Sequence, residues 1–518
     1  MLNRLRGKTK EMVTISRKIK VTFFSAILFG IIDHMFALVN ECPHSDVFWA
    51  YFGYGAGYTS GRWGLALLGD AINTWFGNYP IPWLYGMCSI LFLAVSSVCI
   101  VEALEISNEW NCLCISMFMV ACPSIISTVA YIFTTPYYCF SIMLTCYAAY
   151  LVRKKTKGRF AGILLLTFSL GIYQAYLGLA ASMFILFLIL DCLKDDTDGK
   201  AIFCRAWKYL GILCASVLLY MGIAKLSLKL VGKASLTSYQ SINTMGQIQV
   251  TQIPKFIIKA FLEFISPAVV DRNGLSMFWS VRISYALLLM ILAVLAYRLI
   301  RTVQGRDKKI LMTIFLLLFP CSVNLIYLMC ANGYVHTIMR HAQVMIYIAA
   351  IAILEKEGEV LLKENIFIKM KHLMAAVSIV TVISFCIQAS QAYFGLNQAF
   401  NQVKAYFTVL AGQIKSQEGY RMDMPVAIVG KVNDKTFPTF SQYHKFKTMA
   451  GINEVFYYDY RAEEILKYCC GFAPEYIDDT SVIEEMEEFK EMPCYPDYGS
   501  IAVLNGTVVV KFNEETFE

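Results

Sequence analysis

The sequence predicts a polytopic α-helical membrane protein with a small α+β domain at its C-terminal end. Three observations predict it. Of the 518 residues, 57% are apolar and only 16% charged, a balance outside the soluble globular range. Apolar runs near the roughly 20 residues needed to cross a bilayer recur from Val21 to about Gln391. The runs then stop, and the polar remainder carries strand and turn signals instead.

Residues 1–20 read as a basic cytoplasmic N-terminus, with Arg4, Arg6, Lys8, Lys10, Arg17, Lys18 and Lys20 ahead of the first run. That run is too long for a signal-peptide core and no small-residue cleavage site follows it, so it is expected to remain as an anchor. Counting Lys and Arg in the short connections threads the rest. Spans fall at about 21–39, 82–104, 112–134 and 136–152, returning the chain to Arg153, Lys154, Lys155, Lys157 and Arg159.

The next stretch, 160–190, has no charged side chain. A single span there would invert every later charge, so a hairpin is expected, with Gly171-Ile172-Tyr173-Gln174 at its outer bend. Spans at about 207–224, 278–299, 310–330, 339–354 and 370–391 bring the number to eleven. The N-terminus is then inside and the C-terminus outside. Residues 21–391 form the transmembrane domain.

Two outer loops, 40–81 and 225–277, hold amphipathic segments expected to lie in the membrane interface. In the first, Leu65, Leu68, Ile72 and Trp75 recur at helical spacing, with Arg62, Asp70 and Asn73 on other faces. In the second, Ile253, Ile257, Ala260, Phe261, Phe264 and Ile265 form a stripe opposite Lys255, Lys259 and Glu263.

Residues 392–518 are expected to form an extracytoplasmic α+β domain. An amphipathic stretch from Leu396 to Lys415 leads to Pro425-Val-Ala-Ile-Val-Gly430, a β-branched run that reads as a buried strand. Asn505-Gly506 between two apolar runs spells a hairpin with a type I′ turn. Asn505-Gly-Thr also matches a glycosylation acceptor, but the turn explains the same residues.

The net charge of +7 divides unevenly: 392–518 holds 11 Lys/Arg against 19 Asp/Glu, and the residues before it hold 34 against 19. The basic excess therefore serves membrane topology and anionic head groups, and nucleic acid is excluded as a partner. No P-loop, dinucleotide fingerprint or zinc spacing is present. The 17 cysteines lie mostly in apolar runs, where packing explains them; in exported segments a bridge from Cys469 or Cys470 to Cys494 could form.

What remains for chemistry is charge near the outer interface, where carboxylates are costly unless they face a wet cavity. Asp33 and His34 lie inside the first span, and Glu41 and Asp46 just beyond it. An acid there could deprotonate an acceptor hydroxyl, or hold a divalent cation against a phosphate. Ordinary loop charges explain Glu41 and Asp46 too, and an interhelical hydrogen bond explains Asp33.

A phosphate would need cations at the same level: Arg62, Arg340 with His336 and His341, or Lys225 and Lys229. Interface anchoring accounts for these as well. Tyr173 and Gln174 could hydrogen-bond sugar hydroxyls, and Tyr54, Tyr58, Trp63 and Trp75 could stack on sugar rings; core packing and an aromatic belt are the alternatives.

At these residues the chain resembles the polytopic Gtr type II glucosyltransferases, which decorate bacterial surface polysaccharide such as O-antigen. The resemblance rests on the acidic segment Asn40-Glu41 to Asp46, on Ser60-Gly61-Arg62, and on Gly171-Ile-Tyr-Gln-Ala175. It also rests on Asn397-Gln-Ala-Phe-Asn-Gln-Val-Lys404, followed by the strand ending at Gly430. It implies a GT-C-like fold in the bacterial inner membrane, a sugar donor carried on polyprenyl phosphate, a surface glycan acceptor and no tightly bound cofactor. It makes Glu41 the first choice for the catalytic acid and Asp46 the second, although here Cys42-Pro-His-Ser45 separates an acidic pair that is adjacent in the family.

An integral membrane hexosyltransferase is therefore expected, with Glu41 or Asp46 as base and Arg62 or Arg340 steadying the leaving phosphate. A flippase would show charge in many spans and no exported domain. A polymerase or ligase would centre on a long outer loop rich in arginine and histidine, whereas the loop between Lys225 and Ser276 has only Arg272.

Overall fold

The computed structural model describes residues 15–43, 46–79, 81–155, 157–237, 250–270, 278–330, 333–361, 363–430 and 462–512. Arg4, Arg6, Lys8, Lys10 and Arg272 lie outside the described residues. Helices account for nearly all of the rest: α1 (Arg17–Val39), α2 (Asp46–Trp49), α3 (Trp63–Phe76), α4 (Pro82–Leu104), α5 (Glu109–Ala121), α6 (Pro123–Ala130), α7 (Thr135–Lys154), α8 (Gly158–Ile172) and α9 (Leu177–Cys192). They continue with α10 (Gly199–Leu230), α11 (Ile253–Ile265), α12 (Trp279–Thr302), α13 (Arg306–Val323), α14 (Ile326–Met329), α15 (Val344–Leu361) and α16 (Glu364–Lys415).

Each expected span is largely helical, and 7 helical stretches among the described residues are long and apolar enough to cross a membrane, counting α5 with α6 and the 3-10 turn at Gln174–Tyr176 with α9. The others fall short for visible reasons. α8 has 15 residues, α13 opens on Arg306, Asp307, Lys308 and Lys309, and α15 ends in a charged run. The stretch 160–190 is two helices, as expected, broken where Tyr173 turns extended before a 3-10 turn at Gln174–Tyr176.

The run 112–134, expected to be one span, is of span length from Glu109 to Ala130, with a local interruption ahead of Pro123. A proline lacks a donor and forces the residue before it out of helical geometry. Cys122 is accordingly extended, and carbonyls of the preceding turn lose their partners. One of them, Val120 O, is met by His34 Nε2 at 3.0 Å, while His34 Nδ1 pairs with the Tyr393 hydroxyl at 2.8 Å. Asp33, also buried, stands 3.3 Å from the same Nε2. His34 thus ties α1 to the break and to α16.

Polar contacts collect at two ends of the bundle. At one, Arg17 pairs with Glu109, Lys18 with Glu102, Lys154 with Glu105, and Arg153 and Arg205 with Asp191. Lys308 Nζ donates to the Lys194 carbonyl and Asn111 to Glu355. All of these belong to connections that charge counting puts on one side. At the other end, Asn397 donates to the Glu41 carbonyl, Thr237 N to Thr59 O, and Asn324 to Ala260 O. α13 has Lys308 at the first end and its C-terminal neighbour Asn324 at the second.

α11 corrects the helical-wheel expectation. Glu263 does not face outward with the lysines; it is buried against Arg340 Nη2 at 3.0 Å. Ile253, Ile257, Ile258, Leu262 and Ile265 are exposed, alongside Lys255 and Lys259. At a lipid interface an apolar face is the outward one, and the lone carboxylate goes where a cation awaits it.

The expected boundary between 391 and 392 falls inside α16, which runs unbroken for 52 residues. Beyond it, β1 (Val426–Val429) pairs in parallel with β3 (Thr507–Lys511), which pairs antiparallel with β2 (Ile501–Leu504). Asn505 and Gly506 both take positive φ, 48° and 81°, as a type I′ turn requires. α17 (Ala462–Cys470) packs on α16. Cys469, Cys470 and Cys494 are all free thiols, so no bridge joins them.

Candidate active site

Two motifs distant in sequence meet at the second end of the bundle. Ser60-Gly61-Arg62 leads into α3, and Gly171-Ile172-Tyr173-Gln174 forms the bend between α8 and α9. Their approach is close because both lack side chains at the contact. A Cβ on Gly171 would sit 2.5 Å from the Trp63 ring, and one on Gly64 3.0 Å from the Gly171 carbonyl carbon. Gly61 has φ +70°, a conformation that favours glycine.

Gln174 then locks the turn: its Nε2 donates to Ser60 O and to the Tyr220 hydroxyl, each at 2.9 Å. Gly171→Ala is therefore expected to push Trp63 aside and lower stability by about 1–3 kcal/mol. A thermal unfolding scan of the purified variant checks this; an unchanged midpoint would show that α3 and α8 are not held by the contact.

This packing delivers Arg62. Its Nη1 donates to the Tyr138 hydroxyl at 3.0 Å, and its guanidinium lies 5.1 Å from the centre of the Tyr173 ring. Tyr138 and Tyr173 are stacked at 4.2 Å. Asp46, half-buried at the start of α2, lies within electrostatic reach of Tyr138 and of His336. An acid and a guanidinium thus converge around one phenol.

His336 packs edge-on against Tyr334 at 4.7 Å. Burial lowers its pKa below the usual imidazole value, and the Asp46 charge opposes that shift. A lowered pKa means that the folded state holds fewer protons than the unfolded state, so this contribution to stability is present above about pH 6.5. It is lost as pH falls through the lowered value. His336→Gln should therefore lose less stability than the wild type between pH 7 and 5 in unfolding scans; equal losses would contradict it.

The remaining sequence candidates scatter. Glu41 is exposed, within electrostatic reach of Tyr51 and Cys469. Asp33 is buried in the bundle beside His34. Tyr173 and Gln174 are buried supports of the arginine. Arg340 is engaged by Glu263 and lies over Tyr327 at 5.5 Å. Arg340 also lines a cavity of about 430 Å³, counting the open space at its mouth, with Phe118, Ser124, Tyr285, Gln343 and Tyr347. His341, buried behind it, pairs through Nδ1 with the Ser124 hydroxyl at 3.0 Å.

Of the aromatic candidates, Tyr54 donates to Asp70 at 2.8 Å, Trp63 is buried, and Trp75 is exposed. Tyr138 was not legible as a site residue, because nothing in an aromatic-rich span marks the one phenol that meets an arginine. Among the described residues, no three His, Cys, Asp or Glu side chains form a group that could hold a metal ion.

A model of the glucosyl transferase GtrII family matches residues 35–354, a stretch that contains every site candidate except Asp33. Among solved structures, the chain is similar to the Archaeoglobus fulgidus oligosaccharyltransferase crystallised with a tethered acceptor peptide. The TM-score is 0.40 and the identity 9%, over 86% of this chain and 64% of that one. The chain thus spans less than two thirds of that protein's length. No curated protein sequence matches. With 35–354 matched along most of its length, the chain belongs to the GtrII glucosyltransferase family.

Proposed function

We propose that the protein is an integral membrane glycosyltransferase that moves a hexose, glucose by its family, from a polyprenyl-phosphate carrier to a surface polysaccharide. The reaction takes place on the outer face of the bacterial inner membrane. Eleven spans put the N-terminus inside and the C-terminus outside, and the polar contacts collected at the two ends of the bundle support that threading. The observation that carries the chemistry is the convergence of Asp46 and Arg62 on Tyr138.

In the proposed reaction the acceptor hydroxyl attacks the anomeric carbon of the lipid-linked sugar. Asp46 takes the hydroxyl proton, a new C–O bond forms to the acceptor, and the bond to the phosphate oxygen breaks. The polyprenyl phosphate leaves with the bonding electron pair, and Arg62 steadies its charge. Tyr138 and Tyr173 hold the guanidinium in place. No step is routed through a metal ion.

Mass spectrometry of the surface glycan from cells with and without the protein tests the proposal. The expected result is loss of one hexose branch, with the lipid-linked hexose accumulating. An unchanged glycan would overturn it and favour transport of a lipid-linked sugar.

A further inference from the structure

A second cluster of side chains lies by Glu41, which is within electrostatic reach of Tyr51. Tyr51 and Tyr468 are stacked at 4.6 Å with their planes 2° apart. Phe52 sets its ring edge-on to both, at 5.0 and 5.6 Å, and to Tyr79 at 5.8 Å. Burial would normally be expected of such a group, yet Phe52 is 50% and Tyr79 56% exposed. Three of the rings come from the first outer loop, while Tyr468 comes from α17 of the C-terminal region. Asp46 and the ring pair Tyr51 and Phe52 lie on one short segment, with only α2 and Ala50 between them.

We propose that this cluster is the acceptor subsite, in which the exposed aromatic faces stack on a pyranose ring of the surface glycan and Glu41 accepts hydrogen bonds from its hydroxyls. The proposal rests on the glycosyltransferase reading. Two features favour a glycan over a lipid surface as the occupant. The exposed rings stand beside a carboxylate, which hydroxyls satisfy and acyl chains do not. They also adjoin the acid that would take the acceptor's proton. The C-terminal region then has a role at the site: α17, held on α16, brings Tyr468 and Lys467 back to the first outer loop. Asn397 on α16 fixes the Glu41 backbone at 2.7 Å.

The test uses the full-length protein in detergent, with oligosaccharide repeats released from the host's surface polysaccharide as the probe. Binding is read by saturation-transfer NMR and turnover with polyprenyl-phosphate glucose. Tyr468→Ala is expected to weaken oligosaccharide binding and raise the acceptor KM by about fivefold or more, leaving the donor KM unchanged. Tyr468→Phe, which keeps the ring, should restore both. Phe52→Ala should behave like Tyr468→Ala.

Equal rises in donor and acceptor KM, or a fall in unfolding temperature that accounts for the loss, would mean that Tyr468 only docks the C-terminal region, and would overturn the subsite. Loss of binding to anionic lipid vesicles with oligosaccharide binding intact would also overturn it, in favour of a membrane anchor. Ring-dependent oligosaccharide binding by a protein that transfers no hexose would sustain the subsite and refute the glycosyltransferase reading instead.

Discussion

Asp46→Asn is expected to lower hexose transfer by roughly 10²–10⁴-fold, the range that removal of a general base commonly costs. Taken at 10³, this is about 4 kcal/mol of activation free energy. The amide keeps the size of the side chain, so the fold should survive. The loss should fall on kcat rather than on the donor KM, because in the proposed reaction Arg62, not Asp46, holds the donor's phosphate. Arg62→Gln should differ by raising the donor KM as well, since a phosphate is bound before and after the bond breaks. Steady-state kinetics with polyprenyl-phosphate glucose distinguish the two. A donor KM effect in Asp46→Asn with kcat intact would assign Asp46 to binding.

The second large effect concerns stability. Glu263→Ala should destabilise the protein by about 3–5 kcal/mol, because it leaves the Arg340 guanidinium buried without its carboxylate. Arg340 and Glu263 are both almost fully buried, with side-chain exposures of 1% and 6%. Two charges taken out of water gain little net stability when paired, but either alone is costly. The double variant Arg340→Met with Glu263→Leu should therefore be far less damaged than either single charge removal. Thermal unfolding of the wild type, Glu263→Leu, Arg340→Met and the double variant forms the cycle. Additive losses would show that the pair is not coupled.

The pair also shows what the sequence could not convey. On a helical wheel Glu263 falls with Lys255 and Lys259, and a soluble helix would turn all three outward. In α11 the two lysines are exposed beside Ile257, Ile258 and Leu262, while Glu263 is buried and finds a partner 77 residues away. Periodicity gives the faces of a helix but not the solvent each one meets. The helical segments themselves were legible, because an apolar run near bilayer length is a strong signal. Pro123 was readable as a breaker, yet its consequence, a freed carbonyl met by His34, depends on contacts between helices.

The site was legible in part. Ser60-Gly61-Arg62 and Gly171-Ile-Tyr-Gln were picked out as motifs carrying the family resemblance, and the structure brings them together through contacts at Gly64 and Gly171 that the sequence did not reveal. Sequence alone ranked Glu41 first and Asp46 second as the catalytic acid. In the fold Asp46 lies within electrostatic reach of Tyr138, the phenol that meets Arg62, and Glu41 within reach of Tyr51. Tyr173 and Gln174 carried the right chemistry to touch a sugar; in the fold Gln174 Nε2 holds the loop that bears Arg62, and the Tyr173 ring lies under the guanidinium.

One assay tests the central claim most directly: release of polyprenyl phosphate from polyprenyl-phosphate glucose by purified wild-type protein and by the Glu41→Gln/Asp46→Asn double variant, with surface glycan present. The account predicts hexose-dependent release by the wild type and none above background by the double variant, with both proteins folded. Full activity in the double variant would contradict it.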